Sequence, residues 1–417
     1  MNLHFAIHAC RHYGIKGIAT FLMRLPKTFL KDRAFIKSLE KTIIRDPAWK
    51  PVPGITLIAP LSGGYGLSKT VRDFAIRLKE NGIPCQTFDT FGGKRIPESE
   101  YAHLLTPLSE FQLNRYTDIV GMFRLPPLPE TTCRLSRIGF WEFETGLQNP
   151  DFFLPMEIVT MADFTQKIFR RQVPSYVPVS KVLYPFFFRP SRLIDAAGMR
   201  TRFGLAEDDF VVLFNFSYRS GYYRKNPEGI VHAFAEAFKD RANAKLVFKT
   251  SCADELPDHV AKLHALVDSL GLSDRVVFID DYLPQDEIVS LTNACDVYLS
   301  LHRGEGFGLG IAEAMSLAKP VVVTNYSAPT EFCNADNAML VPYSMRPVRA
   351  DEHDVDFYNF VKEWAEPDTH AAAKALRRLY DDRAFAKQLG EKARRFIADH
   401  FSDANFKKSV EAFLNRA

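Results

Sequence analysis

From residue 210 to residue 317 the chain alternates short apolar runs with helix-patterned stretches, and this alternation restricts the fold more than any other feature. Residues 210–216, 244–249, 276–279 and 296–299 read as strands, and residues 227–238, 257–270, 285–293 and 309–317 as helices. Strands separated by helices pair in parallel, because a parallel neighbour requires a crossover long enough to return the chain to the same end of the sheet. The rhythm also occurs earlier. A strand at 54–60 runs into the glycine-rich loop 61–67 and a helix at 68–80; Asn81-Gly82 stops that helix, and 83–88 is the next strand. Arg137-Ile-Gly-Phe begins like a buried strand, and the stretch from Glu157 supplies another strand and helix. A chain of 417 residues exceeds one hydrophobic core, so two domains are expected.

The boundary is set by proline. Residues 177–190 carry Pro178, Pro185 and Pro190 around an aromatic run, which reads as a linker, and a helical pattern at 192–203 opens the second domain. The expected division is 1–188 and 189–401, with 402–417 crossing back onto the first domain. Residues 355–365 and 371–398 read as solvated amphipathic helices.

A hydrophobic fraction of 47% and a charged fraction of 25% are ordinary for a globular chain, and a net charge of +3 is too small to argue for nucleic acid. The cysteines Cys10, Cys85, Cys133, Cys252, Cys295 and Cys333 include no C-x-x-C pair, which favours reduced thiols and a cytoplasmic protein. No run approaches the ~18 apolar residues needed to span a bilayer. Residues 15–43 do interleave Lys16, Arg24, Lys27, Lys31, Arg33, Lys37 and Lys41 with apolar residues, so peripheral contact with an anionic membrane face is expected as an alternative to packing on the first domain. His4, His8 and His12 share a helix face but have no carboxylate nearby to complete a metal site.

The chemistry concentrates where the strand 296–299 meets the helix 309–317. Gly306, Gly308 and Gly310 lie at that helix N-terminus, where unpaired backbone N–H groups and the macrodipole attract phosphate. Glu313 lies about one turn inside the helix, placed to accept hydrogen bonds from ribose hydroxyls, while Glu305 remains outside it. The loop after the 210–216 strand carries Arg219, Arg224 and Lys225 ahead of Pro227, a proline suited to a first helical turn. Asp354-Val-Asp356 is the only D-x-D; no apolar strand leads into it, so it reads as a solvated helix start rather than a metal site.

Ser300-Leu-His-Arg-Gly-Glu-Gly-Phe-Gly-Leu-Gly-Ile-Ala-Glu-Ala-Met resembles the E-x7-E signature of retaining glycosyltransferases of family 4, and Lys319-Pro-Val-Val-Val with Leu340-Val-Pro-Tyr is similar to the branch that builds bacterial surface polysaccharides. The resemblance implies an α/β GT-B fold, with two Rossmann-like domains facing across a cleft and the donor held by the second. It implies a nucleotide-sugar donor, a glycan or lipid-linked acceptor, and transfer without a metal or other cofactor. A hexose, mannose from GDP-mannose, is the expected cargo. On this reading Glu305, Lys225 and Arg219 are the catalytic residues, with Arg224 as the alternative to Arg219. Gly306, Phe307, Gly308, Leu309, Gly310, Glu313 and His302 hold the donor.

The loop Gly63-Gly-Tyr-Gly66 is not G-x-G-x-x-G, and Asp89 alone makes a poor ribose partner, which argues against a dinucleotide site. The resemblance instead implies that Gly63, Gly64 and Gly66 face the diphosphate and the acceptor. Arg72 is a candidate for an anionic acceptor. Trp141 and Glu142, in a stretch that ends in acids beside aromatics, are candidates for stacking on a sugar and accepting its hydroxyls. Many members of the family carry a histidine near this loop, and none occurs here.

Overall fold

The computed structural model describes residues 39, 41–46, 48–64, 66–90, 96–122, 133–147, 156–188, 194–354 and 358–416. The chain divides into two compact units, one of Met1–Phe140, Leu147–Phe187 and Asp403–Ala417, the other of Trp141–Gly146 and Phe188–Ser402. The second unit therefore takes six residues from the middle of the first in sequence.

The first unit is built on the strands β1 (Val52–Ala59), β2 (Cys85–Asp89), β3 (Tyr116–Met122), β4 (Arg134–Gly139), β5 (Glu157–Thr160) and β6 (Val179–Lys181). They form one parallel sheet in the order β2-β1-β3-β4-β5-β6. Strand β6 comes from the stretch that its prolines mark as a linker. It pairs only with β5 at the sheet edge, where a strand next to proline loses no ladder bond. Buried Leu39, Ile58, Phe111, Leu113, Ile119 and Cys133 form a core on this sheet.

The helix Asp403–Leu414 closes the first unit with Phe406, Val410 and Phe413 buried, the i, i+4, i+7 stripe of a helix docked on one face. Arg77, on helix Gly66–Glu80, lies 4.4 Å above the Phe406 ring and 2.9 Å from Asp403. The Leu183 amide donates to Ser409 Oγ at 2.8 Å.

The second unit contains β7 (Phe210–Ser217), β8 (Ala244–Ser251), β9 (Val276–Ile279), β10 (Val297–Ser300), β11 (Val321–Thr324) and β12 (Met339–Val341). This sheet is also parallel, in the order β12-β11-β10-β7-β8-β9. Helices Pro227–Ala237, Pro257–Ser269, Gln285–Ala294 and Leu309–Ser316 connect its strands. The short strands read as continuous apolar runs because both faces of such a sheet are covered.

Three expected helices come out differently. Residues 355–365 were expected to be helical; residues 355–357 lie outside those described, and Glu363–Pro367 is a strand, β14, antiparallel to β13 (Tyr343–Pro347). Cross-strand contact overrides local pattern there, since Trp364 lies buried beneath Arg303 and Arg346. The run 371–398 is two helices, Thr369–Asp381 and Arg383–His400, separated at Asp382, whose carboxylate caps the second. The helix expected at 192–203 spans Ala196–Arg202, with Asp195 as its cap.

Among the described residues no helix is long and apolar enough to cross a membrane. His4, His8, His12, Cys10, Arg189 and most of the basic segment 15–43 lie outside the described residues. Among the described cysteines, Cys85, Cys252, Cys295 and Cys333 are thiols outside any disulfide, and Cys133 donates to the Tyr116 carbonyl.

Candidate functional site

The order of the second sheet locates the site. From β7 the chain moves outward to β8 and β9, then returns to β10 on the other side, so strand order reverses between β7 and β10. At such a switch point the loops leaving the carboxyl ends of two adjacent strands diverge and leave a crevice for a ligand. The loops concerned are 218–226 after β7 and 301–308 after β10, the two segments with the strongest chemical signals in the sequence.

Hydrogen bonds lace these loops together. The Arg303 amide donates to the Arg224 carbonyl at 2.8 Å, Asn226 Nδ2 to the Leu301 carbonyl at 2.9 Å, and Arg224 Nη1 to the Gly304 carbonyl at 2.8 Å. Asn226 adopts a left-handed φ of 54°, and its Oδ1 accepts from the Gly229 amide at 3.1 Å, capping the helix that Pro227 begins. Lys225 is the residue just before that cap.

Lys225 Nζ donates to Glu305 Oε1, and Arg224 Nη1 lies 3.4 Å from the same oxygen. Burial acts to raise the Glu305 carboxyl, but Lys225 and Arg224 outweigh it and hold the group down at about 2. Burial pulls the Lys225 ammonium below its usual range, with Glu305 opposing. The Glu305 amide donates to Ser327 Oγ at 2.9 Å, which fixes the carboxylate's stem. Arg219 has a different setting. It extends from the turn Tyr218–Ser220, 61% exposed, and pairs with Glu255 at 3.2 Å. Of the two alternative arginines, Arg224 is the one at Glu305.

The three signature glycines occupy three different settings. Gly308 precedes helix Leu309–Ser316 with φ 92°, a conformation that side chains disfavour. A Cβ on Gly310 would run into the Tyr298 hydroxyl and, at 2.5 Å, Asn215 Oδ1, so this glycine lets the helix lie close on β10 and β7. A Cβ on Gly306 would meet nothing closer than Glu142 Oε1 at 3.5 Å. Phe307 packs its ring against Phe332 and Phe401, with centroids 5.2 Å and 5.6 Å away, so its side chain serves the core while its backbone lines the loop. Leu309 begins the helix, and Glu313, one turn on and 5% exposed, accepts from Gln285 Nε2 at 3.1 Å.

His302 is fully buried, with Nδ1 3.1 Å from Ser300 Oγ and Nε2 3.1 Å from the Tyr326 carbonyl. A carbonyl only accepts, so Nε2 carries the proton and Nδ1 accepts from the serine. Both nitrogens are occupied, and burial lowers the imidazole to about 4. The residue expected to touch the donor acts here as a brace between β10 and the segment after β11.

The segment Trp141–Gly146 packs within the second unit. Trp141 is 1% exposed, its Nε1 donates to the Thr145 carbonyl at 3.0 Å, and its ring meets Phe143 and Tyr358, so it is core and offers no face for stacking on a sugar. Glu142 lies against Gly306 in the neighbourhood of Arg224, Lys225, Glu305 and Tyr358. The aromatic run gave no sign of Tyr358, which reaches the site through a strand pair distant in sequence. Ser327 and Gln285 were missed for the same reason; Asn226 was missed as well, although an asparagine directly before Pro227 was a signal that could have found it.

In the first unit, the glycine loop follows β1, where strand order reverses between β1 and β3. Arg72 Nη1 donates to the Leu61 and Gly63 carbonyls, both at 2.8 Å, so this candidate for an anionic acceptor holds the loop instead. The Gly63 amide donates to the Pro60 carbonyl at 3.3 Å and closes the turn over Leu61 and Ser62, Gly64 follows it, Tyr65 lies outside the described residues, and a Cβ on Gly66 would meet nothing within 4 Å. Asp354 accepts from the Tyr223 amide at 3.2 Å; its D-x-D partner Asp356 lies outside the described residues.

Residues 199–345 match the family model described as glycosyl transferases group 1. Over 129 residues the chain is 28% identical to the serotype-specific mannosyltransferase WbdA of Escherichia coli, covering 30% of this chain and 15% of that protein. It is 31% identical over 147 residues to the D-inositol 3-phosphate glycosyltransferase of Acidothermus cellulolyticus, covering 34% of this chain and 31% of that one. The chain thus spans well under half of the length of either relative. Among solved structures it is similar to HepE of Anabaena in complex with UDP and glucose, at 17% identity and TM-score 0.58, covering 87% and 99% of the two chains. It is also similar to WaaG, a glycosyltransferase involved in lipopolysaccharide biosynthesis, at 13% identity and TM-score 0.56, covering 87% and 100%. The fold is therefore the two-domain α/β GT-B fold of these glycosyltransferases, and the segment matching the group 1 model contains Lys225, His302, Glu305 and Glu313.

Proposed function

We propose that the chain is a retaining glycosyltransferase of the family 4 type that moves a hexose from a nucleotide-diphosphate sugar to a polysaccharide or lipid-linked glycan, without a metal. The observation that carries this reading is the buried group of Lys225, Arg224 and Glu305 at the switch point between β7 and β10, beside a helix that begins at a left-handed glycine. A full positive charge about 4 Å from a phosphate in an effective dielectric near 20 contributes roughly 4 kcal/mol before desolvation. Two such cations and the helix N-terminus supply the charge that a metal would otherwise carry.

In this reaction the nucleotide diphosphate leaves the anomeric carbon as an oxocarbenium-like transition state forms, and the acceptor hydroxyl attacks from the same face. The departing phosphate takes the hydroxyl proton. Lys225 and Arg224 stabilise the leaving charge, Glu305 positions the sugar, Glu313 holds the ribose, and the backbone of Gly306–Leu309 binds phosphate and sugar oxygens. Gly63, Gly64 and Gly66 remain assigned to the acceptor side. Similarity to a mannosyltransferase makes GDP-mannose the first donor to try. A cytoplasmic site of action, with peripheral membrane contact through the basic N-terminal segment, fits a lipid-linked acceptor.

Thermal-shift measurements with GDP, UDP, ADP and their sugars, in EDTA, test the reading. Stabilisation by one nucleotide series is the expected result; stabilisation by none would remove the donor site. Binding without transfer to a lipid-linked glycan would favour a silent nucleotide-sugar-binding scaffold, and turnover that requires a divalent metal would refute the metal-free mechanism.

A further inference from the structure

Beside Glu305 and Glu313, the donor site holds a further carboxylate that the proposed mechanism does not use. Glu142 reaches it from the short segment that the second unit borrows from the middle of the first in sequence. Its Oε1 lies 3.5 Å from the position a Gly306 Cβ would take, while Oε2 is fully buried and has no hydrogen-bond partner. The groups that face it are Arg224 and Lys225 from the loop after β7, Glu305 from the loop after β10, and Tyr358 from the stretch before β14. Glu305 has the ion pairs with Lys225 and Arg224; Glu142 is within ion-pair distance of neither.

The charges in this group balance while the site holds no anion: Arg224 and Lys225 against Glu305 and Glu142. A diphosphate diester brings two further negative charges and draws on the same two cations. This group and the diphosphate then carry four negative charges against two positive ones, in surroundings where an uncompensated buried charge costs several kcal/mol. Protonation of one carboxylate is the least costly response, and the carboxylate without an ion pair and with an unpartnered buried oxygen is Glu142. We propose, resting on the donor-site reading above, that binding of a nucleotide-diphosphate sugar is coupled to the uptake of one proton by Glu142. The balance is simple: one proton passes from solvent to a Glu142 carboxylate oxygen as donor binds, and returns when the nucleotide leaves. Burial, with Glu305 nearby, already raises the Glu142 carboxyl in the direction this requires, against the opposing pull of Arg224 and Lys225.

GDP-mannose and UDP-glucose are suitable probes because their diphosphate diesters do not titrate between about pH 5 and pH 9, so uptake in that range belongs to the protein. Titration calorimetry of the full chain, in pairs of buffers with different ionisation enthalpies from pH 5.5 to 8.5, reads the protons taken up. The expected result is uptake approaching one proton per donor over part of that range, with affinity falling as pH rises by up to about tenfold per unit. Glu142→Gln, a permanently uncharged mimic, should remove that uptake and bind donor at least as tightly as the wild type at pH 8.5. A buffer-independent binding enthalpy in the wild type throughout the range overturns the proposal without any variant. Unchanged uptake in E142Q assigns the proton elsewhere and also overturns it. Binding of neither sugar nucleotide at any pH overturns the donor-site reading itself, an outcome distinct from binding without uptake.

Discussion

Lys225 donates to the carboxylate of Glu305 across the switch point of the second sheet, and Arg224 stands 3.4 Å from the same oxygen. The acid is 10% exposed and the lysine 16%, so neither charge is well solvated. Removing one partner of such a pair leaves the other uncompensated, which costs on the order of 3 kcal/mol, and Arg224 softens the loss on the lysine side. Lys225→Met should lower stability by about 1–3 kcal/mol in urea unfolding, and Glu305→Gln by a similar amount. The double variant should lose less than the sum of the two, because neither member of the pair is left facing a missing partner. Simple additivity would show that the pair is not an energetic unit.

The two arginines of the loop should separate cleanly. Arg224 is 4% exposed and donates to the Ser220 and Gly304 carbonyls, so Arg224→Ala should cost about 3 kcal/mol or more and weaken nucleotide binding. Arg219, 61% exposed and paired at the surface, should change stability by less than about 0.5 kcal/mol when replaced by alanine. A larger loss of nucleotide affinity in R219A than in R224A would reverse the assignment.

Gly310→Ala tests whether the signature glycines serve packing as well as phosphate. The new methyl would be driven into Tyr298 and Asn215, forcing the helix off the sheet at a cost of about 1–3 kcal/mol. Gly306→Ala, which meets only ordinary contact, should leave stability nearly unchanged. Equal destabilisation by the two, measured by thermal unfolding, would contradict the packing argument.

His302 gives the molecule an acid sensitivity of defined sign. Its imidazole is held at about 4 against an ordinary 6.5, so the folded state binds the proton more weakly than the unfolded chain does. The stability associated with a neutral His302 is complete above about pH 6.5 and is lost as pH falls towards 4, by at most about 3 kcal/mol. His302→Gln should be less stable at pH 7, through lost packing, yet decline less between pH 7 and 4.5. A variant that declines as steeply as the wild type would place the acid sensitivity in another group.

Parallel strands and their connecting helices leave a local record, since each must be apolar at its own period, and that record located β7 to β10 to within a few residues. Its failures are equally physical. Residues 355–365 read as a helix, and pairing with Tyr343–Pro347 beneath two arginines makes Glu363–Pro367 a strand. Val179–Lys181, between prolines, becomes an edge strand only because β5 is there to pair with.

The places of the signature glutamates, Lys225 and the glycine-started helix in their loops were legible in the sequence, because each depends on neighbours within a turn or a loop. The tertiary structure decided which arginine meets Glu305, that Trp141 and His302 are interior braces, that Arg72 holds a loop, and that Glu142 stands beside Gly306. Those outcomes depend on groups tens to hundreds of residues apart competing for the same buried charges and carbonyls. No local pattern records such a competition; it is settled only when the strands place the loops side by side.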